Sequence, residues 1–276
     1  MTQPADTPAL CAVAIGNSRV RAGRFASGSL VASAVSDDDT DDAIRRLVAD
    51  HIDTDTGVIA IASVAPARAQ RVESIAAGIT GATPAGATIV RLGRDLPIPI
   101  AMALENTQTV GHDRLLAALG AFTKAGQACV VVDAGTAVTI DFVDGEGTFQ
   151  GGAIAPGPAM MLDALHNRAE QLPRVEFTPP DPERGVFGKD TPHAMLLGVT
   201  AALRGLFRER LDTYAEIYGA YPQVIATGGN AALLEPTGLV DHLVPDLELM
   251  GLHAAFEAAL RAEHDSPDPT DADQHP

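Results

Sequence analysis

Short apolar runs rich in β-branched residues alternate along this chain with glycine-centred turns, and the same order occurs twice. Leu10 to Ile15 reads as a strand, Gly16-Asn17-Ser18 as a turn and Arg19 to Phe25 as a second strand. Ser27-Gly28 turns again, and Leu30 to Val35 is a third strand. The acidic run Asp37 to Asp42 then leads into a helical spacing at Ile44, Leu47 and Val48, with carboxylates where the helix dipole favours them. Farther along, Cys129 to Val132 is a buried-strand run that stops at Asp133, and Gly135-Thr136 turns the chain. Val138, Ile140 and Phe142 alternate as a half-buried strand should, Asp144-Gly145 turns, and a third strand runs to about Ala155 before Pro156-Gly157 and a helix near Met160 to Arg168. Gly135 stands in the place of Gly16, 119 residues on. A repeat at that period means two duplicated domains and not a solenoid. The expected architecture is α/β, with two similar sheets whose glycine turns face one cleft, the natural place for a nucleotide.

The remaining pattern fills in this frame. Val58 to Val64 is a buried strand, Pro66 to Ile79 a helix with Pro in its first turn, and Ala87 to Leu92 a strand. Leu96 to Ala101, with two prolines, is extended. Val110-Gly111-His112 leads into a helix with an apolar face of Leu115, Leu116 and Leu119, which should carry the chain from the first domain to the second. Gln171 to Gly188 reads as a long loop, and Thr191-Pro192 as N-cap and first residue of a helix to about Tyr218. Val224 to Ala226 is a strand, Thr227-Gly228-Gly229-Asn230 leads to a short helix, and Asp246 to Leu260 is the last helix. The domains are expected at 10–112 and 113–262, with 1–9 and the acidic, Pro-rich 263–276 as disordered tails.

Composition narrows the functions. At 276 residues and 46% apolar content, the chain can bury a sizeable core. Its 36 acidic against 19 basic residues give a net charge of -17, which argues against a nucleic-acid groove as the main function. The same charge slows an anionic nucleotide unless a local basic patch or a cation intervenes. Cys11 and Cys129 lie in strand-like runs and read as small buried hydrophobes. The start lacks a basic and apolar leader and no run approaches membrane-spanning length, so a cytoplasmic protein without a membrane partner is expected. Histidines 51, 112, 166, 193, 242 and 253 show no metal-ligand spacing and are expected in loops or on the surface.

The turn after Asp133 has a chemical reading. A carboxylate at the end of a buried strand sits where α/β sheets keep their ligand crevice. Gly135 lets the backbone approach a phosphate, Thr136 can donate to it, and Asp133 can hold a cation that offsets its charge. Asp-x-Gly-Thr alone also suits a tight hairpin with a capping carboxylate. Four motifs stand together here: Gly16-Asn17-Ser18, Gly111-His112-Asp113-Arg114, Asp133-Ala134-Gly135-Thr136 and Thr227-Gly228-Gly229. Their order and spacing resemble the type III pantothenate kinases over roughly Leu10 to Leu260. Softer features agree: Ala62-Ser63-Val64, the run Gly151 to Gly157, Gly188 to Thr191, and Pro245-Asp246-Leu247.

The resemblance implies two RNase H-like domains in duplicated arrangement, as in the actin-like ATPase superfamily, and ATP-dependent phosphorylation of pantothenate on the route to coenzyme A. Asp113 would be the general base for the pantothenate hydroxyl. Leu104, Gly111, His112, Arg114 and Thr191 would line the pantothenate site. Gly16, Asn17, Ser18 and Arg19, extending to Arg21, with Thr136, would line the ATP phosphates. Asp133 would hold a monovalent cation, potassium or ammonium, with magnesium accompanying ATP, and the protein would be a homodimer with the Thr191 helix as interface.

Two positions depart from the family. Its first turn has Asp-x-Gly-Asn-Thr, where this chain has Ala14 and Ser18, and its substrate-lining Tyr is Leu104 here. Two other functions therefore stay open. One is a catalytically weakened homologue that binds or regulates; the other is a sister kinase with another hydroxyl substrate. An Asp introduced at Ala14 is expected to need little room and to tighten nucleotide use.

Overall fold

The structure, a computed structural model, describes residues 8–80 and 86–264. It contains two compact units, the first made of Met1–Ile100, Val110–Gly120 and Glu248–Pro276, the second of Ala101–Thr109 and Ala121–Leu247. The units thus interleave along the chain and do not divide at residue 112. The helix expected to link them does so: its first half belongs to unit 1 and its end to unit 2.

In unit 1, β1 (Ala9–Ile15), β2 (Val20–Ala26) and β3 (Ser29–Ser36) form an antiparallel meander, and β4 (Thr56–Ser63) and β5 (Thr88–Arg91) add parallel to β1. The sheet order is β3-β2-β1-β4-β5. Period-two alternation sends β1 to two cores. Cys11, Val13 and Ile15 pack with α1 (Asp41–Ala49) and α2 (Pro66–Thr80), while Leu10, Ala12 and Ala14 pack on the other face. That face is covered by Leu116 of α3 (His112–Ala125) and by Leu249, Leu252 and Phe256 of α6 (Leu247–His264). Gly251 permits the close crossing, since a methyl there would lie 1.8 Å from Leu116 O. Thr40 caps α1, its hydroxyl accepting from Ala43 N at 3.3 Å, with Asp41 and Asp42 in the first turn.

In unit 2, β7 (Cys129–Ala134), β8 (Ala137–Val143) and β9 (Thr148–Pro156) repeat the meander, β10 (Gln223–Thr227) lies parallel to β7, and β11 (His242–Leu243) follows β10. The order is β11-β10-β7-β8-β9-β6, with β6 (Ala101–Met102) on the far edge. Numbered within each repeat, both sheets read 3-2-1-4-5. Besides the extra edge strand β6, the connections differ: α4 (Pro158–Arg168), a loop and the long α5 (Thr191–Tyr218) stand between the third and fourth strands. Leu203, Phe207 and Leu211 of α5 pack on Val130, Val132 and Ile140. The Tyr214 hydroxyl donates to Ile140 O at 3.1 Å.

Four expectations need correction. Asp190, not Thr191, is the N-cap of α5: its carboxylate accepts from His193 N at 2.9 Å, which leaves Thr191 as the first helical residue. His51, His193 and His253 are buried, so the histidines are not all loop or surface residues. Ala9 belongs to β1, and Glu263 and His264 close α6; the rest of the expected loose tails lies outside the described residues, apart from Pro8. Strands β6 and β11, two residues each, were not anticipated. Cys11 and Cys129 are buried as expected, and burial pushes each thiol up to about 12.

Candidate active site

Each unit carries a tight turn at the end of its first strand. In unit 1, Gly16 N donates to Arg19 O at 3.0 Å, and Asn17, Ser18 and Arg19 are exposed. The strand end behind them is apolar, because Ala14 is 2% exposed and pairs with Ala62 across β4. No side-chain oxygen comes from position 14, so the residues present here do not fit a divalent metal held from β1.

The corresponding turn of unit 2 is built differently. Gly135 N donates to Ala137 O at 3.0 Å, and three further residues close around the turn. A methyl on Gly157 would lie 2.4 Å from Thr136 O and 2.5 Å from Gly135 O. Gly228 has φ +89, and a methyl there would lie 2.3 Å from Asp133 Oδ1 and 2.7 Å from Ala134 C. Asn230 N donates to Ala134 O at 2.9 Å, and its side-chain amide to Gly135 O at 3.4 Å. Thr227-Gly228-Gly229-Asn230 is therefore the wall of the Asp133 turn, and Gly157 its floor. Asp133 is half-buried and shares a sheet face with Thr139, its direct partner, and with the buried Asp141, since both strands alternate. Sequence reasoning gave no role to Asn230, although it adjoins the Thr227-Gly228-Gly229 motif, and missed Asp141, for which the Thr139-x-Asp141 alternation in β8 was a faint signal. The Asp133 carboxylate is a hard oxygen donor at this turn.

The third motif opens α3. Gly111 O accepts from Leu115 N at 3.3 Å, and Asp113 Oδ1 accepts from Arg114 N at 2.8 Å. A methyl at Gly111 would lie 2.3 Å from Asp113 Oδ1, so this glycine makes room for the carboxylate. His112 is half-buried against a second glycine: Gly93, at φ +80, would bring a methyl within 2.1 Å of its Cε1. Arg114 is half-buried.

Leu104 follows β6 in unit 2 and lies over β9, its Cδ2 3.0 Å from where Gly151 would carry a methyl. Thr191 is exposed beside Asp190, whose carboxyl the His193 amide and the Arg184 guanidinium hold below the usual range. Unit 1 thus carries Gly16 to Arg19 and Gly111 to Arg114, and unit 2 carries Leu104, Asp133, Thr136 and Thr191. Two open surface depressions on unit 2, of about 470 and 450 Å³, contain none of these residues. Among the described residues, no group of three or more His, Cys, Asp and Glu side chains could hold a metal ion, and no helix is long and apolar enough to cross a membrane.

Two sheets that share the order 3-2-1-4-5, each with its turn after the first strand, give the chain a duplicated RNase H-like fold. Solved structures agree on the fold. A conserved putative Baf family transcriptional activator from Campylobacter jejuni matches with TM-score 0.55 and 20% identity, over 92% of this chain and 99% of its own. Component A of the (R)-2-hydroxyglutaryl-CoA dehydratase of Acidaminococcus fermentans matches with TM-score 0.53 and 14% identity, over 93% and 100%. In sequence, the family model described as type III pantothenate kinase matches residues 10–212. A type III pantothenate kinase of Rhodococcus erythropolis is 34% identical over 218 residues, 77% of this chain and 78% of its own. One from Akkermansia muciniphila is 40% identical over 165 residues, 59% and 67% of the two chains. The chain belongs to the type III pantothenate kinase family.

Proposed function

We propose that this protein transfers the γ-phosphoryl group of ATP to the primary hydroxyl of pantothenate, giving 4'-phosphopantothenate for coenzyme A synthesis in the cytoplasm. The observation that carries the reading is the Gly111-to-Arg114 corner, a carboxylate given room by a glycine at a helix start, in a chain of this family. Asp113 takes the hydroxyl proton as the new O–P bond forms and the bond to the ADP oxygen breaks. Arg114, with Gly111, His112, Leu104 and Thr191, binds pantothenate, the guanidinium pairing with its carboxylate or with the phosphoryl group in transit. Gly16 to Arg19 and Thr136 bind the ATP phosphates, and magnesium arrives with ATP. Asp133 holds a potassium or ammonium ion, which offsets phosphate charge when bound.

A coupled assay of ADP release with pantothenate tests this. Asp113→Asn is expected to lower kcat by about 10² or more while leaving nucleotide affinity unchanged. A variant with most of the wild-type turnover removes Asp113 from the role. Potassium is expected to raise the rate above that in sodium at equal ionic strength, and Asp133→Ala to abolish the difference; equal rates in both salts for wild type refute the cation site.

The buried Ala14 favours a second reading, a weakened homologue that binds pantothenate or nucleotide without useful turnover. Nucleotide binding without ADP release would select it. We also propose a homodimer, supported by the exposed Ile154 and Met160 of unit 2 and by Ile217 and Tyr218 at the end of α5. Light scattering that gives a monomer mass at micromolar concentration rejects the dimer.

A further inference from the structure

Arg68, in the first turn of α2, reaches the turn after β1. Its Nη1 donates to Gly16 O at 2.8 Å and to Asn17 O at 3.2 Å. Its Nε donates to Asp39 Oδ1 at 2.8 Å, and Nη2 lies 2.7 Å from the same oxygen. Asp39 is fixed in turn: Arg71 Nη1 lies 3.2 Å from its other oxygen, and Arg71 Nε donates to Asp41 Oδ1 at 2.6 Å.

These contacts matter because a turn that receives phosphate must hide its carbonyls. A carbonyl oxygen facing a phosphate repels it, whereas an amide attracts it. The guanidinium draws two successive carbonyls to the α2 side, which leaves the exposed side of Asn17 to Arg19 free of them. It also sets a cation behind the turn. The Arg68 side chain is 12% exposed and the Asp39 side chain 53%, so solvent screens the carboxylate more than the guanidinium. In a first turn where Ala14 supplies no carboxylate for a metal, such fixed positive charge counts for more.

We propose that Arg68 is a positioning residue for nucleotide binding: locked by Asp39, it holds the Gly16 and Asn17 carbonyls away from the phosphates. The proposal rests on the reading of Gly16 to Arg19 as part of the ATP site.

Calorimetry with the magnesium complex of adenylyl-imidodiphosphate reads the effect without needing turnover. Arg68→Ala is expected to weaken Kd about tenfold or more, as the loss of charge-assisted hydrogen bonds to two carbonyls would. Arg68→Lys should fall between, because an ammonium keeps the charge but not the fork. Arg71→Ala, which loosens the Asp39 and Asp41 contacts without touching the turn, is expected to stay within about twofold of wild type. A purely structural role for Arg68 would lower the melting temperature of both Ala variants and leave Kd alone. Wild-type affinity in Arg68→Ala, or equal weakening in Arg71→Ala, overturns the proposal while the kinase reading stands. Should Arg68→Ala fail to fold, wild-type affinity in Arg68→Lys overturns it instead. Wild-type protein that binds no nucleotide overturns both.

Discussion

Asp133 and Ala14 occupy the same strand position in the two repeats, and their surroundings differ as much as their side chains. Asp133 has glycines around its oxygens, whereas Ala14 is sealed among Leu10, Ala12, Ala62 and Leu116. An aspartate at 14 would bury an unpaired carboxylate in that apolar layer. The expectation that it would fit easily and tighten nucleotide use therefore changes sign. Ala14→Asp should cost several kcal/mol, read as a lower urea midpoint; an unchanged midpoint with tighter nucleotide binding would restore the earlier view. The replacement of the family Asp was plain in the sequence, but the layer that excludes a carboxylate was not. It is assembled from strands and two helices that are far apart along the chain, from Leu10 to Phe256. Arg68 was illegible for a similar reason. A charged residue in the first turn of a helix looks like ordinary surface until its carbonyl partners, about fifty residues away, are seen.

Elements were legible wherever a period had room to repeat. Among the described residues, the eight longer strands before residue 157 and the six α-helices were anticipated to within a few residues, whereas β6 and β11 are too short to alternate. The α5 cap was misread because Asp190 and Thr191 are both good caps, and the choice rests on which oxygen meets His193 N. Within α6, His253 stacks on Phe25 with ring centroids 4.3 Å apart and is buried on that face. Desolvation holds its pKa below the ordinary histidine value, with Glu257 opposing and Arg261 assisting. The sign follows: below about pH 6.5 the unfolded chain takes up a proton that the folded chain refuses. Stability should thus decline as pH falls through that value until the depressed folded pKa is reached. His253→Phe should flatten this part of a melting-temperature profile, and an identical slope in the variant would exclude His253 as its source.

Across the whole molecule, duplication was legible because both repeats place glycine and apolar runs in the same order, and the sheet orders agree with it. The division of the chain into units was not, since no local pattern says that 247–264 returns to the first sheet. Charge acts at this scale as well. With a formal -17, the protein repels a nucleotide at long range whatever its site provides. Raising ionic strength from about 10 to 150 mM, with potassium fixed, should therefore increase kcat/KM for magnesium-ATP and leave kcat unchanged. A flat or falling kcat/KM would mean that local positive groups already govern approach.

The interleaving has a consequence for how the protein is made. A ribosome releases β1 to β5 early and α3 soon after, yet α6, which supplies most of the cover over Leu10, Ala12 and Ala14, is translated only after all the strands of the second sheet. For most of synthesis that face of the nascent sheet lacks the α6 part of its cover, which leaves a sticky apolar surface of the kind chaperones recognise. The second unit has no such wait, because its final strand precedes α6. Translation order therefore favours the later-coded unit as the first to be complete, with the earlier one finished only when α6 folds back against the Leu116 turn of α3.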